Sequence, residues 1–251
     1  MADRPFDLSN FQQFDPSQSN ADFELVVAGR GLDLRTRPFK ILRTKFRKRM
    51  DQSGARIVGI TSATPGAGKS FLAANLAASL AQVSEDPVYV VDLDLRRGSL
   101  SSRMGLEEAP GISEVLQGTV PSLREVGWRI TDTNLVIFPA GAEARRSAEL
   151  VSTSDFTAQI NDLRQSTGAS TVIVDLPPAF ASDDAMLIAK ELDCYLLVVE
   201  SGVTSKRQVR EVLAMMAPTP LLGTVMNRYR GGISDTFSYG YGSKAYADYY
   251  D

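Results

Sequence analysis

"RIVGITSATPGAGKSFLAANLAASLAQ", residues 56–82, is the stretch on which the fold turns. "RIVGITS" is a short apolar, β-branched run that reads as a strand, and "KSFLAANLAASLAQ" reads as a helix. Between them lies "ATPGAGKS", which fits the phosphate-binding pattern G-x-x-x-x-G-K-S/T except that Ala63 takes the place of the first glycine. Gly66 and Gly68 allow backbone N–H groups to curl round a polyphosphate, and the following helix adds its positive end. Lys69 can reach the β- and γ-phosphates, and Ser70 can ligate Mg2+. The expected nucleotide contacts run through Pro65, Gly66, Ala67, Gly68, Lys69, Ser70 and Phe71.

Outward from this unit the pattern repeats. "VYVVDLD", "NLVIFPAG", "STVIVDLPP", "DCYLLVVES" and "LLGTVMNR" read as further strands, with helical segments such as "SKRQVREVLAMM" between the later ones. Continuous Val/Ile/Leu runs joined through helices predict an α/β protein, a mostly parallel central sheet covered by helices on both faces. With the phosphate loop, the pattern predicts the P-loop NTPase fold, and ligands of such sheets bind beyond the carboxyl ends of the strands. The 251 residues suffice for one such domain. The formal net charge of −3 argues against a nucleic-acid partner. One cysteine and no histidine exclude a disulfide framework, a zinc site and histidine acid–base chemistry. No apolar run reaches the roughly 20 residues of a spanning helix and no signal peptide opens the chain, so a cytoplasmic protein is expected.

Acidic strand ends supply the second half of a site. "VYVVDLDLR" carries Asp92 and Asp94, and "VIVDLPP" carries Asp175. An aspartate after a strand can simply cap the next helix. Three from the same sheet edge as a phosphate loop point instead to Mg-ATP chemistry. Mg2+ is held through one or two carboxylates plus phosphate oxygens, which suits Ser70, Asp94 and Asp175. Asp92 is then expected to orient or deprotonate an attacking hydroxyl, so Lys69, Asp92 and Asp94 are the expected catalytic residues.

The two ends differ from this body. Residues 1–28 are polar with scattered phenylalanines and read as a flexible arm ahead of a domain over 29–230. "RTRPFKILRTKFRKRM" (35–50) reads as a basic helix beginning near Pro38, either a solvated face or a contact with a neighbouring subunit or anionic lipid. Residues 231–251 hold five of the eight tyrosines, Tyr239, Tyr241, Tyr246, Tyr249 and Tyr250, among Gly, Ser, Lys, Ala and Asp that build no core.

On these residues the chain resembles the bacterial tyrosine kinases (BY-kinases) of capsule and exopolysaccharide production, from about Thr36 to the C-terminus. The likeness rests on "PG-GKS", "VVDLDLR", "VIVDLPP", "GISEVLQG", "VTSKRQV", "VMNR" and the tyrosine tail. The resemblance implies ATP-dependent autophosphorylation of that tail, an active site of Lys69, Ser70, Asp92, Asp94 and Asp175, and Asn227 and Arg228 beside the adenine. It further implies a homo-oligomer, a separate membrane-embedded polysaccharide co-polymerase or activator that recruits the chain to the inner face of the membrane, and a tyrosine phosphatase. Two features depart from the family. Relatives often carry Glu where this chain has Ala67, and their assembly helix reads E-x-x-R-x-x-R where this chain has Arg37, Lys40 and Arg43.

A positioning ATPase of the chromosome-partitioning or division-site type shares the fold and the aspartates. Its signature lysine five positions before Lys69 is Thr64 here. A non-catalytic nucleotide-binding scaffold is a third reading, and the intact lysine and three aspartates speak against it.

Overall fold

In the computed structural model, which describes residues 6–15, 36–106 and 108–229, the apolar runs assemble into one sheet. Its strands are β1 (Gln12–Phe14), β2 (Ile57–Ser62), β3 (Val88–Asp92), β4 (Trp128–Ile130), β5 (Leu135–Phe138), β6 (Thr171–Asp175), β7 (Cys194–Glu200) and β8 (Leu221–Asn227). Their order is β1-β4-β5-β3-β6-β2-β7-β8. β4 runs antiparallel to β5, and every other neighbouring pair is parallel.

The two-residue alternation of strands sorts the core into two layers. Val58, Ile60, Val88, Val90, Ile173 and Leu196 face a layer closed by α1 (Arg37–Ser53), α2 (Lys69–Ala81) and α3 (Ser99–Arg103). Ile57, Tyr89, Val91, Val172, Val174 and Leu197 face the opposite layer. That layer is closed by α4 (Ile112–Leu116), α5 (Ser147–Val151), α6 (Ser154–Thr167), α7 (Asp184–Ala189) and α8 (Lys206–Met216). The expected arrangement of helices on both faces of a mostly parallel sheet is what the structure has. β2, whose every residue is buried, sits inside the sheet between β6 and β7.

The N-terminal segment departs from the expected free arm over 1–28. Residues 6–15 are part of the domain: β1 pairs with β4, and Phe6 and Phe11 are 9% and 5% exposed. Their rings pack on each other at 5.3 Å and on Phe138 at 5.8 and 5.9 Å. Gly127 makes room for this packing, because a Cβ there would lie 2.4 Å from the Phe11 ring. Arg124 lies over the Phe6 ring at 4.7 Å, a cation–π contact. The reason is hydrophobic: each aromatic ring buries a large apolar area that a mobile arm would leave in water. The remainder of the proposed arm lies outside the described residues.

The basic helix is real, but part of its charge points inward. α1 starts at Arg37 with Pro38 in its first turn and ends at Gly54, whose φ of 69° is a left-handed cap. Phe39, Phe46 and Met50 are buried against the sheet layer. Arg43 donates to the carbonyl of Ser79 at 2.8 Å, and Arg49 donates to the carbonyl of Leu222. These guanidiniums tie α1 to α2 and to the edge strand, so Arg43, one of the three residues aligned with the family's assembly helix, has an intramolecular role here.

Candidate active site

The loop after β2 is shaped by two glycines. Gly66 and Gly68 have φ of 85° and 96°, backbone that side chains with a Cβ adopt at a cost. At Gly68 a Cβ would also collide with Asn227, 2.1 Å from its Nδ2. That amide donates to the carbonyl of Ala67 at 2.8 Å, which fastens the end of β8 to the phosphate loop. Ala67 is 1% exposed in the apolar layer, so the position where relatives carry Glu contributes no charge here.

Lys69 and Ser70 open α2, and both are buried. Lys69 Nζ lies 2.7 Å from Asp94 Oδ2, 3.5 Å from Asp175 Oδ1 and 3.2 Å from Ser70 Oγ. Ser70 Oγ in turn meets Ser99 Oγ at 2.6 Å. Asp92 and Asp175 end adjacent strands in register, so Lys69, paired with Asp94 and Asp175, also feels the charge of Asp92. Burial alone would depress the Lys69 ammonium, but Asp175, Asp94 and Asp92 outweigh it and hold its pKa above the usual value. Burial lifts Asp175 to about 7 against the pull of Lys69, with a further push from Asp92.

Asp92, expected to orient or deprotonate the attacking hydroxyl, is bonded to its own fold. It is 0% exposed, and its Oδ2 accepts from Ser101 N at 2.9 Å and Ser101 Oγ at 2.8 Å. Its Oδ1 accepts from Asp94 N at 3.2 Å. These bonds brace the turn carrying Asp94, and Asp92 itself lies off the cavity wall. Burial raises its pKa despite the Ser101 hydrogen bonds and the charge of Lys69.

A cavity of about 580 Å³ opens over this cluster, a size that suits a nucleotide. Of the expected contacts, Pro65, Gly66, Gly68, Lys69, Ser70, Phe71, Asp94, Asn227 and Arg228 line it. Ala67 and Asp175 lie behind that wall. Arg97, Ser99, Arg103 and Pro178 also line it and were not singled out from the sequence, because no motif spacing marks them. The expected phosphoacceptors Tyr239, Tyr241, Tyr246, Tyr249 and Tyr250 lie outside the described residues.

The residues fit a bound Mg2+. Three carboxylates surround one ammonium, which leaves a net negative charge when all are ionised. Asp175 Oδ2 is buried with no hydrogen-bond partner among the described residues, an acceptor that a cation or its water would satisfy. Ser70, Asp94 and Asp175 are hard oxygen donors. Among the described residues no three acidic, His or Cys side chains form a ready-made metal cage.

Comparison with known proteins places this site in a family. Residues 58–238 match the CobQ/CobB/MinD/ParA nucleotide binding domain model. The tyrosine-protein kinase YwqD of Bacillus subtilis is 31% identical over 212 residues, 83% of this chain and 86% of that protein. The tyrosine-protein kinase ptk of Acinetobacter johnsonii is 28% identical over 72% of this chain. Among solved structures, the kinase domain of VpsO is 30% identical with a TM-score of 0.69, covering 78% of this chain and 97% of that one. The chain spans about a quarter of the length of several curated relatives it matches. The phosphate loop, the paired aspartates and these relatives converge on one conclusion: the chain belongs to the bacterial tyrosine-protein kinases, within the CobQ/CobB/MinD/ParA nucleotide-binding family.

Proposed function

We propose that the chain is an ATP-dependent tyrosine autokinase that phosphorylates its own C-terminal cluster, Tyr239, Tyr241, Tyr246, Tyr249 and Tyr250, between subunits. The observation that carries this reading is the convergence of Lys69, Ser70, Asp94 and Asp175 on one cavity wall or directly behind it. In the transfer, a phenol oxygen bonds to the γ-phosphorus and the bond to the β,γ-bridging oxygen breaks, so ADP leaves with that electron pair. Lys69 moves its charge from the carboxylates to the phosphates and stabilises the transferred group. Asp94, which faces the cavity, accepts the phenol proton, while Asp92 holds the Asp94 turn in place through Ser101. Bound Mg2+ supplies charge neutralisation at the phosphates.

Phosphates on the tail, each adding roughly −1.5 to −2 charge, would repel it from an acidic neighbour and so regulate assembly. Control of exopolysaccharide or capsule production through a membrane-embedded co-polymerase, with a phosphatase to reverse it, follows from the family resemblance. Among the described residues no helix is long and apolar enough to cross a membrane. Thr64 in place of the signature lysine disfavours the positioning-ATPase alternative.

Transfer between subunits is tested by mixing two proteins. One carries Lys69→Met with its tail intact, and the other is active with all five tail tyrosines changed to Phe. The expected result is phosphate on the inactive partner's tail, rising with total concentration. An unlabelled tail, with wild-type labelling at a concentration-independent rate, would favour transfer within one chain.

A further inference from the structure

Two arginines on the cavity wall have no role in the site as described so far. Arg97 lies in the turn that leaves β3, where its N–H donates to the Asp94 carbonyl at 3.0 Å, and Arg103 ends α3. Among the described residues neither guanidinium has an acidic partner, and Arg103 Nε is buried without a hydrogen bond. The other cations of the wall are matched: Lys69 by Asp94 and Asp175, and Arg228 by Glu200 at 2.8 Å. Arg97 is exposed on the same wall. A buried N–H such as Arg103 Nε is costly to leave unmade, so this geometry suits an acceptor that arrives with the ligand.

Sheet order says which part of the ligand that is. β3 and β8 lie on opposite sides of β2, from which the phosphate loop springs. The β8 side of the cavity carries Asn227 and Arg228, and the β3 side carries Asp94, Ser99, Arg97 and Arg103. Ser70 Oγ meets Ser99 Oγ at 2.6 Å, so the metal-ligating hydroxyl faces the β3 side. Lys69, which would meet the outer phosphates, also leans to that side, 2.7 Å from Asp94 Oδ2, so the end of the phosphate chain would lie there.

We propose that Arg97 and Arg103 form a subsite for the terminal phosphate, and that this pair distinguishes a nucleoside triphosphate from a diphosphate. The planar fork of an arginine suits two phosphate oxygens, where a lysine supplies only a point charge. The inference rests on the reading of the cavity as a Mg-nucleotide site.

Titration calorimetry with Mg2+, using ADP and a non-hydrolysable β,γ-imido ATP analogue, tests it. Arg97→Ala and Arg103→Lys are each expected to weaken the triphosphate analogue at least about tenfold, the loss expected for a hydrogen bond between charged groups. ADP affinity should stay within about twofold, because the diphosphate does not reach the subsite. Retained ADP binding also reports an intact fold. The proposal is overturned if both variants weaken the two nucleotides equally or weaken neither. Wild-type protein that binds neither nucleotide would instead remove the underlying reading of the cavity.

Discussion

Lys69→Met is expected to lower tyrosine phosphorylation at least about 100-fold, because the transferred phosphoryl loses a positioned charge inside a water-poor site. The same change should destabilise the fold. Lys69 is 7% exposed and is the cation beside Asp94, Asp175 and Asp92. Removing one partner of a buried ion pair costs about 3–5 kcal/mol, since the charges left behind have neither water nor a counter-ion. The two effects separate experimentally. Thermal melting measures the second, and Asp94→Asn added to Lys69→Met should recover part of the melting temperature without recovering phosphorylation. Phosphotyrosine at the wild-type level in a folded Lys69→Met protein would disprove the assignment.

Asp175→Asn is expected to act in opposite directions on binding and on stability. The folded-state pKa of Asp175, about 7, lies above its ordinary value of 3.8, so the folded protein holds this proton more tightly than the unfolded chain. The stability it contributes is therefore fully present below about pH 4 and is lost as pH rises through about 7. Metal-free Asp175→Asn protein should show a shallower decline across that window and exceed the wild type at pH 8. Some slope should remain, because Asp92 is shifted in the same direction. Mg-dependent nucleotide affinity should fall at least about tenfold, since a metal-facing oxygen is lost. Chemical denaturation at several pH values, paired with calorimetry, checks both halves. Lower stability at pH 8 with unchanged Mg-nucleotide affinity would contradict the placement of Asp175.

Much of this site was legible because its chemistry is local. The turn from Ile57–Ser62 into Lys69 and Ser70 needs glycines at fixed offsets, and aspartates at the ends of Val-rich strands announce themselves by contrast. The hydrogen bonds that hold Asp92 were not legible. Asp92 and Asp94 are two apart, a spacing that keeps a common face only while the strand continues, and β3 ends at Asp92. Asp94 then lies in a turn, and Ser101 from a later helix claims Asp92. The N-terminal strand was hidden for a different reason. Phe6, Phe11 and Phe14 follow no period, and their partners Phe138 and Trp128 lie far along the chain, so only tertiary packing reveals them. Arg43 and Arg49 read as surface charge because their heads reach carbonyls of distant elements, Ser79 and Leu222. Arg97 and Arg103 gave no signal, since the wall of a cavity formed by separated loops has no sequence period.

The most direct test of the central claim is mass spectrometry of the wild-type protein after phosphatase treatment, clean-up and addition of Mg-ATP. The account predicts phosphate on tyrosines among Tyr239, Tyr241, Tyr246, Tyr249 and Tyr250, absent when Mg2+ is chelated. ATP turned over to ADP and free phosphate, with those five tyrosines unmodified, would contradict it.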